Sequence, residues 1–154
     1  MRSRDETALL HWSELLQASR ETAELRAEDR LMGRALARLL ADLGVDGAAR
    51  WLPDARCSLP LLWACATVHW NVPLTASAAG LLWTYSEHQV AAAIKLVPLG
   101  QTAGQLVLAR LGGEVPDVVT TGLALPDADI GAAAPGLAIA SSLHETQYTR
   151  LFRS

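Results

Sequence analysis

Four places in the sequence carry side chains able to do chemistry. Cys65 and His69 stand four apart, so on a helix they would face one ligand and offer a thiolate and an imidazole to a metal. Two donors are half of a site, and no second pair follows at zinc spacing; a core thiol and a partly buried imidazole are expected instead. His144, Glu145 and Tyr148 resemble an acid–base set without a nucleophile near them in sequence, and a hydrogen-bonded anchor for the end of the chain is the expectation. Arg26, Arg30, Arg34 and Arg38 recur at every fourth position with Glu24, Glu28, Asp29 and Asp42 interleaved. That mixture reads as a solvated helix face rather than a nucleic-acid footprint.

The fourth place is Lys95-Leu-Val-Pro98-Leu-Gly100-Gln101-Thr102-Ala-Gly104. Its glycines invite comparison with a phosphate loop, which needs four residues between them and then Lys-Ser or Lys-Thr. Here the spacing is three and Gln105 follows, so no nucleotide site is expected. Pro98 must end or kink an arriving helix. Gly100 and Gly104 then allow close helix packing, and Gln101 and Thr102 are expected to cap or bridge the next helix start. Lys95 is the only lysine of the chain; its stem can cover apolar surface while the ammonium reaches solvent or a partner.

These residues need helices to position them. Leu9, Trp12 and Leu16 predict a helix over 5–19, and Leu25, Met32, Leu36, Leu39 and Leu43 share a face of a second over 22–43, stopped by Gly44. An apolar helix is expected over 61–70, and a long one over 74–97 opened by Pro73, with a small-residue surface of Ala76, Ala79, Gly80, Trp83, Val90, Ala91 and Ile94. That surface suits close packing on a second helix, within the chain or across a dimer axis. Further helices are expected over 100–111, over 115–125 despite the β-prone Val118-Val119-Thr120-Thr121, and over 132–144 after the turn at Asp127 and Asp129. The expected fold is an all-α, single-domain orthogonal bundle of about six to seven helices over residues 1–154. The mixed aromatic, aliphatic and arginine tail of 145–154 reads as a partner-binding segment.

Composition agrees. Ala and Leu dominate while Ile, Phe and Tyr are scarce, which favours helix over sheet. A net charge of −3 gives no argument for nucleic acid or an anionic membrane surface. Of the 29 charged side chains, 17 fall in the first 50 residues, so the remainder is expected to be buried or covered by a partner. No charge lies between Arg56 and Glu87, but Pro60, His69, Asn71 and Pro73 interrupt that stretch, and a membrane span needs roughly 20 consecutive apolar residues. Met1 is followed by Arg, Asp and Glu rather than an apolar run, and Cys57 and Cys65 form no framework; a reducing cytoplasm is expected.

Three stretches carry a resemblance: 18–26 (ASRETAELR), 94–102 (IKLVPLGQT) and 144–154 (HETQYTRLFRS). In content and order they resemble the urease accessory protein family UreF. Members usually begin with a further segment rich in Ser, Pro, Gly and Tyr, so the chain is expected to be amino-terminally truncated. The resemblance implies a non-enzymatic, dimer-forming chaperone scaffold for nickel insertion into urease. It would bind UreD (also called UreH), recruit or regulate the GTPase UreG, and through them act on the urease apoprotein, leaving nickel and GTP to its partners and needing no cofactor or metal of its own. The implied partner-binding residues are Lys95, Pro98, Gly100, Gln101, Thr102, His144, Glu145, Tyr148, Arg150, Leu151 and Phe152, with Lys95 matching a lysine proposed to act on the GTPase and Arg150 a tail arginine shaping its binding surface. The implied dimer interface is Ala76, Ala79, Gly80 and Trp83 on the helix over 74–97. A rival of another class is a small helical metal-binding domain or enzyme using Cys65, His69 and His144.

Overall fold

A computed structural model describes residues 6–131 and 134–148. Six α-helices carry the fold: α1 (Glu6–Ala18), α2 (Ala23–Asp42), α3 (Leu59–His69), α4 (Leu74–Leu96), α5 (Gln101–Leu123) and α6 (Pro135–Glu145), with 3-10 turns at Ala49–Trp51 and Asp127–Asp129. Among the described residues there is no strand, and the all-α expectation holds. The chain divides into two compact units, Met1–Ala66 with Gly131–Ser154 and Thr67–Ile130. Among the described residues no helix is long and apolar enough to cross a membrane.

The first unit is built around α2. Thr22 caps its start, accepting from the Leu25 N–H at 3.3 Å. At its other end Gly44 takes φ +76°, the Val45 N–H donates to the Leu40 carbonyl at 2.9 Å and the Gly44 N–H to Ala41 at 3.0 Å. This is the paired bonding that closes a helix on a left-handed glycine, and it turns Val45 into the core. There Ala37, Leu40, Val45, Ala48, Trp51, Cys57, Leu61, Leu62 and Ala66 pack together, with Leu9 and Leu10 of α1 against them.

The buried face of α2 is not the leucine face the spacing predicts. Asp29, Gly33, Ala37 and Leu40 are buried, whereas Leu39 and Leu43 are 53% and 58% exposed. The reason is steric. A Cβ placed on Gly33 would lie 2.5 Å from the backbone carbon of Ser58, so α2 offers the stripe along which another backbone can touch it. The rotation also draws Arg26, Arg30 and Arg34 into half-buried positions and leaves only Arg38 of that row exposed. Arg26 donates to the Arg20 carbonyl, and Arg20 lies 3.5 Å from the buried Asp29 carboxylate.

The loop into α3 holds α1. Ser13 donates to the Arg56 carbonyl at 2.9 Å, and Arg56 grips Asp54 through Nε at 2.9 Å and Nη2 at 2.8 Å. These bonds, with a third from the Arg56 N–H at 2.8 Å, hold the Asp54 carboxyl down at about 2 against an ordinary 3.8. The α3 start falls two residues before the expected one because Ser58 supplies the cap, accepting from the Leu61 N–H at 3.4 Å, and Pro60 is tolerated in a first turn.

The second unit is a helical hairpin. Asn71 adopts φ +54° and ends α3 as Gly44 ends α2, with the Val72 N–H donating to Thr67 at 2.8 Å and the Asn71 N–H to Val68 at 3.3 Å. Pro73 is the residue before α4. Along α5 the buried positions are Gly104, Leu108, Val115 and Val119, one continuous stripe. The expected break between 111 and 115 is absent: Pro116 sits inside α5. Proline loses one backbone bond there, but a break would remove Val115 and Val119 from the stripe that packs on α4. At the other end, α6 begins at Pro135 rather than 132; residues 132 and 133 lie outside the described residues.

Gly33→Ala should lower the unfolding free energy by about 1–3 kcal/mol, because the atoms it meets are backbone. Gly104→Ala meets side-chain atoms, Ile94 at 2.5 Å and Val90 at 3.5 Å, which can shift where a backbone cannot; both variants regain about 1 kcal/mol of helix propensity, so the loss at Gly104 is the smaller. Urea denaturation of both variants checks the order. Asp54→Asn tests the Arg56 grip. A carboxyl whose folded value is depressed stabilises the fold fully above its unfolded value and loses that contribution as pH falls through the folded one. The variant should therefore melt lower than the unaltered chain at neutral pH, with the difference closing between pH 3.8 and about 2.

Candidate functional site

The joint between α4 and α5 presents its expected residues as one exposed strip. Val97 leaves the helix in an extended conformation, donating its N–H to Ala93 at 2.9 Å, and the Leu99 N–H donates to Val97 at 2.6 Å, a tight turn about Pro98. Lys95, Pro98, Gly100, Gln101 and Thr102 are all exposed. Lys95 lies in the last turn of α4, where a cation is favoured by the helix dipole.

Two expectations for the joint are corrected. The cap position of α5 is Gly100, with no side-chain cap bond; Gln101 and Thr102 fall inside the first turn and do not cap it. A Cβ on Gly100 would meet nothing within 4 Å, so only the second glycine makes the close approach. On Gly104 a Cβ would meet Ile94 at 2.5 Å and Val90 at 3.5 Å, and on Gly112 it would meet the Trp83 ring at 2.8 Å. As the α5 number rises the α4 number falls, so the helices run antiparallel, and the strip is carried on a tightly packed hairpin.

That pairing bears on the small-residue face. Trp83, Val90 and Ile94 are used within the hairpin. Ala76 is exposed, Ala79 and Gly80 are half-buried, and Trp83 keeps part of its ring accessible.

The second cluster joins chain segments about 120 residues apart in number. His144 Nδ1 donates to Glu24 Oε2 at 2.6 Å, the Glu24 N–H donates to Glu145 Oε1 at 3.2 Å, and Thr22 and Ser141 share a hydrogen bond of 2.7 Å between hydroxyls. Of the anchor expected of His144, Glu145 and Tyr148, the first two make hydrogen bonds, and their other half is the start of α2. Thr22, Glu24 and Ser141 are absent from the sequence-based site. The signal for two of them was available, since both lie in the 18–26 stretch. Tyr148 is fully exposed; Arg150, Leu151 and Phe152 lie outside the described residues.

The metal alternative finds little geometric support. Among the described residues no group of three or more His, Cys, Asp and Glu converges. His144 is engaged by Glu24, His69 is exposed rather than partly buried as expected, with its ring edge-on to the neighbouring Trp70 at 5.6 Å, and burial pushes the thiols of Cys57 and Cys65 up from their ordinary range, away from the thiolate a metal requires.

Comparison with known proteins adds an independent line. The family model described as UreF matches residues 1–112. The chain is 53% identical to the urease accessory protein UreF of Alkalilimnicola ehrlichii over 152 residues, covering 99% of this chain and 67% of that protein. With the protein of the same name from Azoarcus sp. strain BH72 it shares 48% over 155 residues, covering 97% and 66%. With that of Hahella chejuensis it shares 45% over 150 residues, covering 97% and 67%. The chain thus spans about two thirds of the length of these relatives.

The thiols provide a check on the site chemistry. With Cys57 fully buried and Cys65 half-buried, a disulfide reagent at neutral pH should modify Cys65 slowly. Cys57 should react only as the fold opens, at a rate that rises with denaturant. Rapid stoichiometric labelling of both in the native chain would contradict this burial.

Proposed function

The chain belongs to the UreF family, and on that premise we propose that it acts as a non-enzymatic accessory scaffold in urease maturation. It works in the cytoplasm, joins UreD (UreH), and recruits or regulates the GTPase UreG so that nickel reaches the urease apoprotein. The nucleotide and the metal belong to its partners.

One observation carries the reading: the exposed strip from Lys95 to Thr102, borne on a hairpin whose glycine contacts leave little freedom to move. A lone ammonium on a rigid support can meet acidic side chains or phosphate oxygens of a GTPase without first paying an ordering cost. Pro98 strengthens this presentation by restricting the turn. The tail after α6 supplies the contact with UreD, with Tyr148, Leu151 and Phe152 as its anchors, while Arg150 helps shape the surface that meets UreG. Homodimerisation through α4 uses the part of the Ala76, Ala79, Gly80 and Trp83 face that remains accessible.

Lys95→Ala should leave helix content unchanged and weaken UreG recruitment, or alter its GTP turnover, by about tenfold, the order expected for one interfacial charge. Co-purification of the unaltered and altered chains with UreD and UreG, followed by a GTPase assay, measures this. Equal recruitment and equal turnover would remove Lys95 from the site.

A further inference from the structure

Helix α6 is held in an unusual way for a short terminal helix. It has no buried residue. Its half-buried positions are Ala138, Ser141, His144 and Glu145, while Leu137, Ile139 and Leu143 are 48%, 63% and 62% exposed. The face turned to α2 is therefore mainly polar, and burial of large apolar side chains contributes little to docking. Among the described contacts, three polar ones join it to the start of α2.

Each of those contacts meets a need of α2. The first N–H groups of a helix have no partner within it. The Glu145 carboxylate accepts the Glu24 N–H, so α6 completes the cap that Thr22 begins at the Leu25 N–H, and it places negative charge at the positive end of the α2 dipole. Glu24 returns a carboxylate to His144 at 2.6 Å. The shape of the turn that presents Glu24 is itself set by polar contacts, from Arg26 to the Arg20 carbonyl and from Arg20 toward Asp29. The clasp is reciprocal, so displacing α6 uncovers groups on both helices.

We propose that Glu24 is a positioning residue for the partner-binding end of the chain. Through His144 and Glu145 it sets where α6 ends, and so the point from which the tail of 145–154 departs toward its partner. The inference rests on the functional reading in which that tail binds UreD, and it adds to that reading a residue on α2. Because each contact is a part-buried hydrogen bond of modest net strength, the clasp is strong enough to bias where the chain leaves α6 and weak enough to yield when a partner competes for it.

The test compares Glu24→Ala, His144→Ala and the double variant in the full chain, with Glu24→Gln as the conservative change. In the partner-free protein, hydrogen exchange of the α6 amides should accelerate about tenfold in Glu24→Ala, the size expected for one charge-assisted bond, with α2 core amides around Ala37 and Leu40 unchanged. Affinity for UreD should fall by a similar factor. The double variant should lose no more than either single one, since both break the same contact, and Glu24→Gln, which keeps an acceptor, should recover part of the loss. Unchanged α6 exchange, additive losses, or undiminished UreD affinity in Glu24→Ala overturns the proposal alone. Slowed folding or faster exchange throughout α2 would assign Glu24 a general structural role and also overturn it. If the unaltered chain does not bind UreD at all, the functional reading falls and the proposal falls with it.

Discussion

The absent side chain at Gly33 is the constraint from which the first unit follows. Because α2 carries nothing there, the backbone of Ser58 rests on the helix where a methyl group would stand 2.5 Å away. That contact brings the start of α3 onto α2 and buries Cys57, Leu61 and Leu62 around Ala37 and Leu40. Once the contact is made, the rotation of α2 is no longer free. Thr22 and Glu24 must face the segment that α6 occupies, and Leu39 and Leu43 must face outward, however apolar they are. Packing at one small residue thus outweighs the transfer free energy of two leucines, since interiors tolerate neither voids nor overlap.

The hairpin of α4 and α5 uses the same device twice, at Gly104 against Ile94 and at Gly112 against Trp83. Two helices alone have too little mutual surface to hide everything they carry, and Leu74, Tyr85, Leu106 and Val118 remain exposed. An accessible apolar surface of this kind accords with a scaffold that works by contact. The chemistry-bearing groups accord with it too. The single lysine stands at a helix end, where the dipole favours its charge.

Helix positions were largely readable from the sequence, because apolar spacing and stop residues are local signals. Gly44, Asn71 and Pro73 punctuate the structure as their chemistry requires. Facing was less readable. Leucine periodicity along α2 pointed to the wrong stripe because hydrophobicity records what gains by burial, while the contact at Gly33 records what can come close. The break expected before Val115 failed for a related reason. The stripe through Leu108, Val115 and Val119 runs through the gap expected between 111 and 115 and past Pro116, and tertiary packing outweighs the single backbone bond lost at that proline. At the candidate site, His144 and Glu145 could be singled out by type. The 18–26 stretch held Thr22 and Glu24, but their pairing with α6 could not be read, since a carboxylate about 120 positions away in number leaves no trace in spacing.

The two ends of the described chain therefore depend on each other in a manner that burial alone would not produce. An α6 seated by leucines would be held by an interaction that no polar competitor could relieve, and the tail would leave from one fixed point at all times. Seated instead by His144, Glu145 and Ser141 on the start of α2, its hold depends on a few directional bonds, each replaceable by a bond of the same kind from another protein. The exchange need not be costly, because Glu24, Ser141, His144 and Glu145 are half-buried and can be taken up by water, while the buried Thr22 keeps its bond to the Leu25 N–H. A helix whose polar side faces its own chain thus leaves Leu137, Ile139 and Leu143 exposed, and the cap it lends to α2 ties that apolar face to the helix on which the core is built.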